Sequence, residues 1–383
     1  MTTLFHSARK LDAAGQVDDF WMLVDGDTIA QTGSGPAETT AGWEAATERV
    51  DVAGRWLVPG FIDIHGHGGG GASYDEGRDA ISTALAAHRA HGTTRSVLSL
   101  VTNPLVKLSE TLTMIAEFTA TDPLILGSHL EGPFLSDARR GAHNPDFLIE
   151  PLPGAIEELL EAGHETIRQV TIAPELPGAM EAIDILVEHG IVVAVGHSEF
   201  SFELAQEAFD RGARLLTHAF NAMPGIHHRK PGPVIAAFED ERVTLELILD
   251  GMHVHPDVAA MAFAAAPGRI ALITDAMAAA ASHDGDYILG SLNVSVKDGR
   301  AVLSGTSSLA GSTLTQDTAL RIAIERVKLT PTQAIEALTL TPARVLGLEH
   351  EFGYLKSGYV ADTVLLDHEW QVTSVWGAGR QLT

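Results

Sequence analysis

Two histidines separated by one residue follow an apolar segment of the chain. The segment from Trp56 to Ile64 leads directly into His65-Gly66-His67-Gly68. Residues two apart on a β-strand point to the same side, so a strand that continued through the pair would project both imidazoles together. Two neutral imidazoles on one side can form half of a metal site. The alternative is a pair of loop histidines in a chain that has 18 of them.

Other side chains that bind metals end further apolar segments. They are His129 and Glu131, His197, His218, Asp250 and His253, and Asp275. Each alone has an ordinary explanation, such as a hydrogen-bonded histidine or a carboxylate that caps the next helix. Together they predict a metal centre. Since the chain has no cysteine, the ligands are restricted to His, Asp and Glu.

Histidine and carboxylate ligands suit Zn²⁺, Fe²⁺, Mn²⁺ or Co²⁺, and the sequence does not choose among these ions. Such an ion lowers the pKa of a water molecule that it binds to roughly 7, so that the water can attack a carbonyl carbon at neutral pH. Asp275 is the only carboxylate in the segment Ile273–Ala276. We therefore predict that Asp275 takes the proton of the water and passes it to a leaving group.

Eight apolar, strand-like segments alternate with amphipathic, helix-like segments through the middle of the chain. The predicted strands are Phe61–His65, Ser96–Val101, Leu124–Leu130, Val170–Ala173, Ile191–Gly196, Leu215–His218, Leu245–Asp250 and Ile270–Thr274. This alternation predicts an α/β fold, a (β/α)8 TIM-like barrel, whose active site lies at the carboxyl ends of the strands. A doubly wound sheet is disfavoured because no G-x-G-x-x-G opens a helix, and the glycines 68–71 have the wrong spacing.

Both ends of the chain are rich in short strands and turns. Residues 1–57 include a hairpin signal at Asp25-Gly26-Asp27, and residues 348–383 again read as strand and turn. We predict that 1–57 and 348–383 form one small β-sandwich domain, and that 58–347 form the barrel. Within the barrel region, we expect a hairpin that turns at Lys297–Gly299 and two helices, Thr313–Lys328 and Thr332–Leu346.

The charge of the chain is strongly negative. Lys plus Arg number 25 against 50 for Asp plus Glu, a formal net charge of −25. This disfavours binding to nucleic acid or to an anionic membrane, and it means that an anionic substrate needs a locally positive pocket. No apolar segment approaches the ~20 residues of a membrane helix, and Met1–Lys10 lacks the layout of a signal peptide. We expect a cytoplasmic protein.

Longer motifs carry a family resemblance. Pro59–His67 and the closing Gly358–Asp362 resemble the amidohydrolase superfamily. Five further motifs, in order over nearly the whole chain, resemble the N-acetylglucosamine-6-phosphate deacetylases within that superfamily. They are His129–Phe134, Gly141–Pro145, Gly196–Ser198, His218–Pro224 and Asp250–His253.

The resemblance implies metal-dependent hydrolysis of N-acetyl-D-glucosamine 6-phosphate to D-glucosamine 6-phosphate and acetate, by a homodimer. It implies that Glu131, His197 and His218 hold the primary metal, with Zn²⁺ the expected ion, and that Asp275 is the catalytic acid/base. It further implies that His143 polarises the acetyl carbonyl. The implied substrate contacts are Ala142, His143, Asn221, Ala222, Arg229, His253 and Leu309, the last in a turn that would pack on the acetyl methyl group.

Members of the resembled family differ at the positions of His65 and His67. Some keep both histidines and can carry two metals, and this chain keeps both. One or two ions per subunit are therefore expected, with Glu131 as the bridge. The fourth strand ends in Ala173-Pro174-Glu175 without a lysine, which disfavours the dihydroorotase and hydantoinase types.

Arg229 is the candidate cation for the phosphate of the substrate. A guanidinium grips phosphate oxygens in a fork, and a chain of charge −25 needs a fixed cation near such a ligand. The alternative is a solvated loop arginine beside Lys230.

Two other functions stay open at this point. One is an amidohydrolase for a different N-acyl or cyclic amide substrate, with the same metal centre and another pocket. The other is an inactive barrel that serves as a binding scaffold, which the full set of ligands disfavours.

Overall fold

The structure is a computed structural model that describes residues 2–383. It divides into two compact units. One comprises the chain up to Asp63, His88–Arg95 and Gln316–Thr383, and the other comprises Ile64–Ala87 and Ser96–Thr315. The domain boundaries given above from the sequence stay a prediction.

The first unit contains a sheet built from both ends of the chain. Its strands are Thr2–Asp12, Gly15–Asp25, Thr28–Ser34, Glu48–Asp51, Trp56–Pro59, Thr363–Leu366, Val372–Gly377 and Arg380–Gln381. The predicted turn at Asp25–Asp27 is present, with Asp25 paired to Thr28. One face of the sheet buries a core that includes Phe5, Met22 and Ile29.

A buried ion pair lies within this unit. The guanidinium of Arg95 donates from Nε to Asp362 Oδ2 at 2.5 Å and from Nη2 to Oδ1 at 3.0 Å. Asp362 also accepts from the backbone N–H of Ala378 at 2.7 Å. Both charged side chains are only 5% exposed, so the pair compensates charge that is buried from water.

Eight parallel strands form a second sheet. In sheet order from one edge they are Ile270–Ile273, Thr244–Ile248, Leu215–Leu216, Val192–Val195, Ile167–Ile172, Ile125–Glu131, Thr93–Val101 and Phe61–Asp63. Beyond the strand ends, the N–H of Asp275 donates to the carbonyl of His65 at 2.8 Å. The predicted fold, a TIM-like barrel with a β-structure from both chain ends, is confirmed.

Helices connect most of the barrel strands, as the amphipathic segments predict. The helices of the chain are Ala41–Ala45, Arg78–Ala90, Leu105–Thr119, Pro153–Gly163, Ala179–Glu188, Phe202–Asp210, Gly232–Glu239, Pro256–Ala265, Gln316–Glu325, Pro331–Leu338 and Leu340–Val345. None of them, within residues 2–383, is long and apolar enough to cross a membrane.

The single helix expected over Thr332–Leu346 is two helices. Thr339 interrupts them with φ −132° and ψ −74°, outside the helical region. Pro342 follows three residues later and has no N–H to donate to the carbonyl of Leu338, so a continuous helix would lose that bond.

A small antiparallel sheet follows the last barrel strand. It consists of Gly285–Leu289, Leu292–Lys297 and Arg300–Leu303, and its second turn lies at Lys297–Arg300, as predicted. It shares a hydrophobic cluster with Val101 and Met277. A second, two-stranded pair joins Gly68–Gly69 to Ala72–Ser73.

Candidate metal centre and active site

The strand ends bring the predicted primary metal ligands together around Glu131. Oε1 of Glu131 lies 3.1 Å from Nε2 of His197 and 3.1 Å from Nε2 of His218. The two Nε2 atoms lie 2.9 Å from each other. Donor atoms about 2 Å from a tetrahedral ion are roughly 3 Å apart, so these three atoms have the spacing of ligands on one ion.

His65 and His67 face the same carboxylate. Nε2 of His65 lies 3.3 Å from Oε1 of Glu131, and Nε2 of His67 lies 3.0 Å from Oε2. The strand predicted over Phe61–His65 ends at Asp63, so it does not continue through the pair. The backbone after the strand is held instead by the end of the last barrel strand, where the N–H of His67 donates to the carbonyl of Ala276 at 2.7 Å.

Three of these histidines are oriented through their Nδ1 atoms. The partners are the carboxylate of Glu246 for His65 at 2.9 Å, the carbonyl of Ser99 for His67 at 3.2 Å and the carbonyl of Arg139 for His197 at 2.9 Å. Carbonyl and carboxylate oxygens only accept, so in the neutral ring Nδ1 carries the hydrogen. The lone pair of each Nε2 then faces Glu131, as a metal ligand requires.

His143 has the opposite tautomer. Its Nδ1 accepts from the backbone N–H of Thr102 at 3.3 Å, so the hydrogen of the neutral ring is on Nε2. Burial lowers the pKa of His143 to about 4, and the nearby carboxylate of Glu131 raises it less. Proximity alone groups His143 with Glu131 and His197 as possible ligands. The tautomer makes it a hydrogen-bond donor instead.

Asp275 faces the same centre from the end of the last strand. Its Oδ1 lies 3.3 Å from Nε2 of His67 and 3.7 Å from that of His65. Burial raises the pKa of Asp275, but the hydrogen bond from His67 and the charge of His65 lower it more, so that it lies below its ordinary value. Asp275 is therefore in its proton-accepting form at neutral pH.

Three of the strand-end residues have a strained backbone. His197, His218 and Asp275 have φ of 48°, 26° and 48°, the left-handed region that non-glycine residues rarely adopt. Such a conformation costs on the order of 1–3 kcal/mol per residue and persists where surrounding structure enforces it, commonly at functional sites.

A cavity of about 380 Å³ opens onto this group. Glu131 and Asp275 lie in its wall. Six of the residues predicted to contact the substrate line it: Ala142, His143, Asn221, Ala222, His253 and Leu309.

Comparison with known proteins shows the family to which the chain belongs. The sequence profile of the Amidohydrolase family matches residues 56–381. The chain belongs to this family. It is 37% identical to the N-acetylgalactosamine-6-phosphate deacetylase of Escherichia coli O157:H7, with 99% of each chain covered. It is 36% identical to the N-acetylglucosamine-6-phosphate deacetylase of Danio rerio, over 88% of this chain and 87% of the relative.

A solved structure with a similar fold is that of a variant N-acetyl-D-glucosamine-6-phosphate deacetylase from Mycobacterium smegmatis in complex with N-acetyl-D-glucosamine-6-phosphate. It has a TM-score of 0.94 and 40% identity, and the match covers 100% of this chain and 99% of that one. The predicted resemblance is confirmed, and with it the prediction of a hydrolase.

The residues of this amidohydrolase fit the divalent metal that its family uses. Burial lowers the pKa of both His65 and His67. For His65, however, Glu131 and Glu246 raise the pKa well above its ordinary value. Asp275 and Glu131 likewise raise that of His67 to about 9. The carboxylates thus attract positive charge to the point where the Nε2 atoms converge, and a divalent cation would supply it.

His253 of this amidohydrolase places positive charge on the cavity wall. Its Nδ1 donates to Oδ2 of Asp250 at 2.7 Å, and both side chains are buried. Burial lowers the pKa of His253, but the hydrogen bond and charge of Asp250 raise it more. The imidazolium is therefore favoured, which suits an anionic ligand.

The structure does not bring Arg229 to the cavity. Arg229 is exposed, its Nη1 lies 2.8 Å from Nε2 of His228, and it is absent from the described residues that line the cavity. Arg139 lies in the cavity wall instead. In the sequence it lies beside Arg140, between the Glu131 motif and Gly141-Ala142-His143, and nothing there distinguishes the two arginines.

Glu246 was also missed in the sequence. It is a carboxylate inside the apolar strand Thr244–Ile248, and a charge buried in such a strand needs a partner. The sequence therefore showed that Glu246 needs a partner, but it did not show which residue the partner is.

Proposed function

We propose that this amidohydrolase hydrolyses N-acetyl-D-glucosamine 6-phosphate to D-glucosamine 6-phosphate and acetate, in amino-sugar catabolism or cell-wall recycling. The proposal rests on three functions that meet at one cavity. Histidine nitrogens that can bind a metal surround Glu131, His143 can donate an N–H, and Asp275 can accept a proton. Amide hydrolysis needs these three functions together. The deacetylases similar to this chain act on phosphorylated N-acetyl sugars by name.

The side chains divide the reaction between them. Glu131, His197 and His218 would hold a divalent cation, which would supply Lewis acidity and activate a water molecule. Asp275 would accept a proton from the attacking water and return it to the departing amine. His143 donates its Nε2–H to the carbonyl oxygen, where negative charge develops.

The phosphate end of the substrate needs cations in the wall of the cavity. His253 and Arg139 are placed there, and a charge-assisted hydrogen bond from either stabilises an anion. The contact predicted for Arg229 stays a prediction, as do those of Ala142, Asn221, Ala222 and Leu309.

The metal is Zn²⁺ in this proposal, with Fe²⁺, Mn²⁺ or Co²⁺ as alternatives that the same ligands accept. His65 and His67, together with Glu131, would hold a second ion. The cytoplasmic location and the homodimer expected from the sequence stay predictions.

A second candidate substrate is N-acetyl-D-galactosamine 6-phosphate. The relative from Escherichia coli O157:H7 that carries this name is 37% identical and is matched along 99% of its length. The two sugars differ only in the orientation of one hydroxyl, at C4, so the same acetyl-cleaving groups serve both.

The test is acetate release by purified protein, with and without a chelator. The substrates are the two phosphorylated sugars and unphosphorylated N-acetylglucosamine. We expect chelator-sensitive turnover of the glucosamine derivative, with little activity on the unphosphorylated sugar. Faster turnover of the galactosamine derivative would select the second candidate, and no turnover by metal-replete protein would direct the search to other amides.

A further inference from the structure

A fully buried carboxylate lies behind the metal centre, outside the set of predicted ligands. The side chain of Glu246 has 0% exposure, and it is not among the described residues that line the cavity. It accepts from three donors. They are Nδ1 of His65 at 2.9 Å, Nε2 of Gln169 at 2.9 Å and the backbone N–H of His218 at 3.2 Å.

We propose that Glu246 is a positioning residue that holds His65 as a ligand of the second metal ion. A carboxylate can only accept, so it keeps the hydrogen of the neutral His65 ring on Nδ1 and turns the lone pair of Nε2 toward Glu131. Such an acceptor behind a ligating histidine also makes the ring a stronger donor to the metal.

Glu246 also reaches the primary ligand set. The N–H that it accepts from belongs to His218, whose backbone has φ 26° and so depends on surrounding contacts for its conformation. The carboxylate of Glu246 therefore contacts one predicted ligand from each of the two ion positions. It contacts the side chain of His65 and the backbone N–H of His218. Glu246 acts through these residues and does not touch the substrate.

Gln169 and His65 contact different oxygens of Glu246, Oε1 and Oε2 respectively. Gln169 accompanies Glu246 in the barrel but contacts no predicted metal ligand through its amide nitrogen, which donates to Oε1 of Glu246. Gln169→Met is therefore the matched control, since it removes a buried polar neighbour of Glu246 and leaves the Glu246–His65 bond in place.

The inference rests on the proposed metal centre but not on the proposed substrate, so the test measures zinc directly. Metal-free protein is titrated with Zn²⁺ against a chromophoric chelator, and bound zinc per chain is measured after gel filtration. In Glu246→Gln, an amide replaces the acceptor of three donors, and we expect the second ion to bind about 10–100-fold more weakly. Gln169→Met should bind both ions as the wild type does.

A double-mutant cycle with His65→Ala separates positioning from a general structural role. If Glu246 acts through His65, then Glu246→Gln causes little further loss of second-site affinity in the His65→Ala background. A structural role would instead lower the melting temperature of the metal-free protein and leave the rise caused by zinc unchanged.

Several outcomes would overturn the inference. They are wild-type zinc affinity in Glu246→Gln, an equal loss in both backgrounds, or a wild-type chain that binds fewer than two ions. If Glu246→Gln fails to fold, Glu246→Asp decides, because it keeps the buried charge and shortens its reach to His65 by one methylene. Two bound zinc ions with no turnover of the sugar would refute the substrate and leave this inference standing.

Discussion

Oδ1 of Asp275 lies 3.3 Å from Nε2 of His67, although the two residues follow the last and the first strand of the barrel. This contact brings the predicted proton carrier to the edge of the metal centre. A backbone hydrogen bond lies beside it, from the N–H of Asp275 to the carbonyl of His65 at 2.8 Å. The segments that follow the last and the first barrel strand are therefore joined.

Asp275→Asn should keep the fold and the bound metal but lower kcat by about 10²–10⁴-fold, because the amide cannot accept and return a proton. Acetate release and metal content, measured on the same preparation, test this. Asp257→Asn is the control, since the side chain of Asp257 is 93% exposed. A rate near that of the wild type would show that Asp275 is not the proton carrier.

His143 and His197 should respond differently to replacement by alanine. His143 is a donor by its tautomer, so His143→Ala should retain metal and lose about 10²–10³-fold in kcat, as for an oxyanion donor. His197 is a predicted ligand, so His197→Ala should lose metal affinity as well. Loss of metal in His143→Ala would contradict the tautomer assigned to it.

The pair Asp250–His253 should make substrate binding depend on pH. The pKa of Asp250 is lowered, because hydrogen bonds from His253 outweigh the burial that raises it, and the pKa of His253 is raised. The carboxylate therefore stabilises the fold above its unfolded pKa of ~3.9, and this is lost as pH falls through the folded value. The imidazolium of His253 stabilises the fold below its unfolded pKa of ~6.5. This stabilisation is lost as the pH rises through the raised pKa that His253 has in the folded protein.

Asp250→Asn removes the charge that keeps His253 protonated, while its side-chain oxygen can still accept from the backbone N–H of Met252 and His253. The KM for the phosphorylated sugar should then begin to rise at a lower pH than in the wild type, where the rise starts above ~6.5. If KM depended on pH in the same way in the wild type and in Asp250→Asn, His253 would not contribute to phosphate binding.

Arg139→Ala should raise KM for the phosphorylated sugar by roughly 10–100-fold, the effect of one lost charge-assisted hydrogen bond. The unphosphorylated sugar should be little affected. The alanine keeps the backbone carbonyl that accepts from His197, so the metal centre stays intact. Arg229→Ala, made in parallel, tests the phosphate contact predicted for that residue, and an unchanged KM would refute it.

Asp362→Ala should lower the free energy of unfolding by about 3–5 kcal/mol, because it leaves the guanidinium of Arg95 buried without its carboxylate. Urea denaturation measures this. The control is Asp210→Ala at the exposed pair with Arg242, where about 0–1 kcal/mol is expected. A loss of similar size in both variants would contradict the argument from burial.

Much of the candidate site could be predicted because the barrel places all strand ends on one side. An apolar segment followed by His197, His218 or Asp275 is visible in the sequence, and the fold then brings these ends together. The helix over residues 332–346 was predicted less well. Its apolar periodicity is continuous, but Pro342 cannot complete the hydrogen-bond ladder, and the chain breaks at Thr339.

The sequence by itself determined the eight strands, the residue types at their ends and the family motifs, because these depend on short spacings along the chain. Only the tertiary structure decided which nitrogen of His67, His143 and His197 carries the hydrogen, that Arg139 and not Arg229 lines the cavity, and that Glu246 contacts His65. Residues 65 and 246 are 181 positions apart. Hydrogen-bond partners of this kind come from other strands, so no local pattern carries them, and the tautomers depend on those partners.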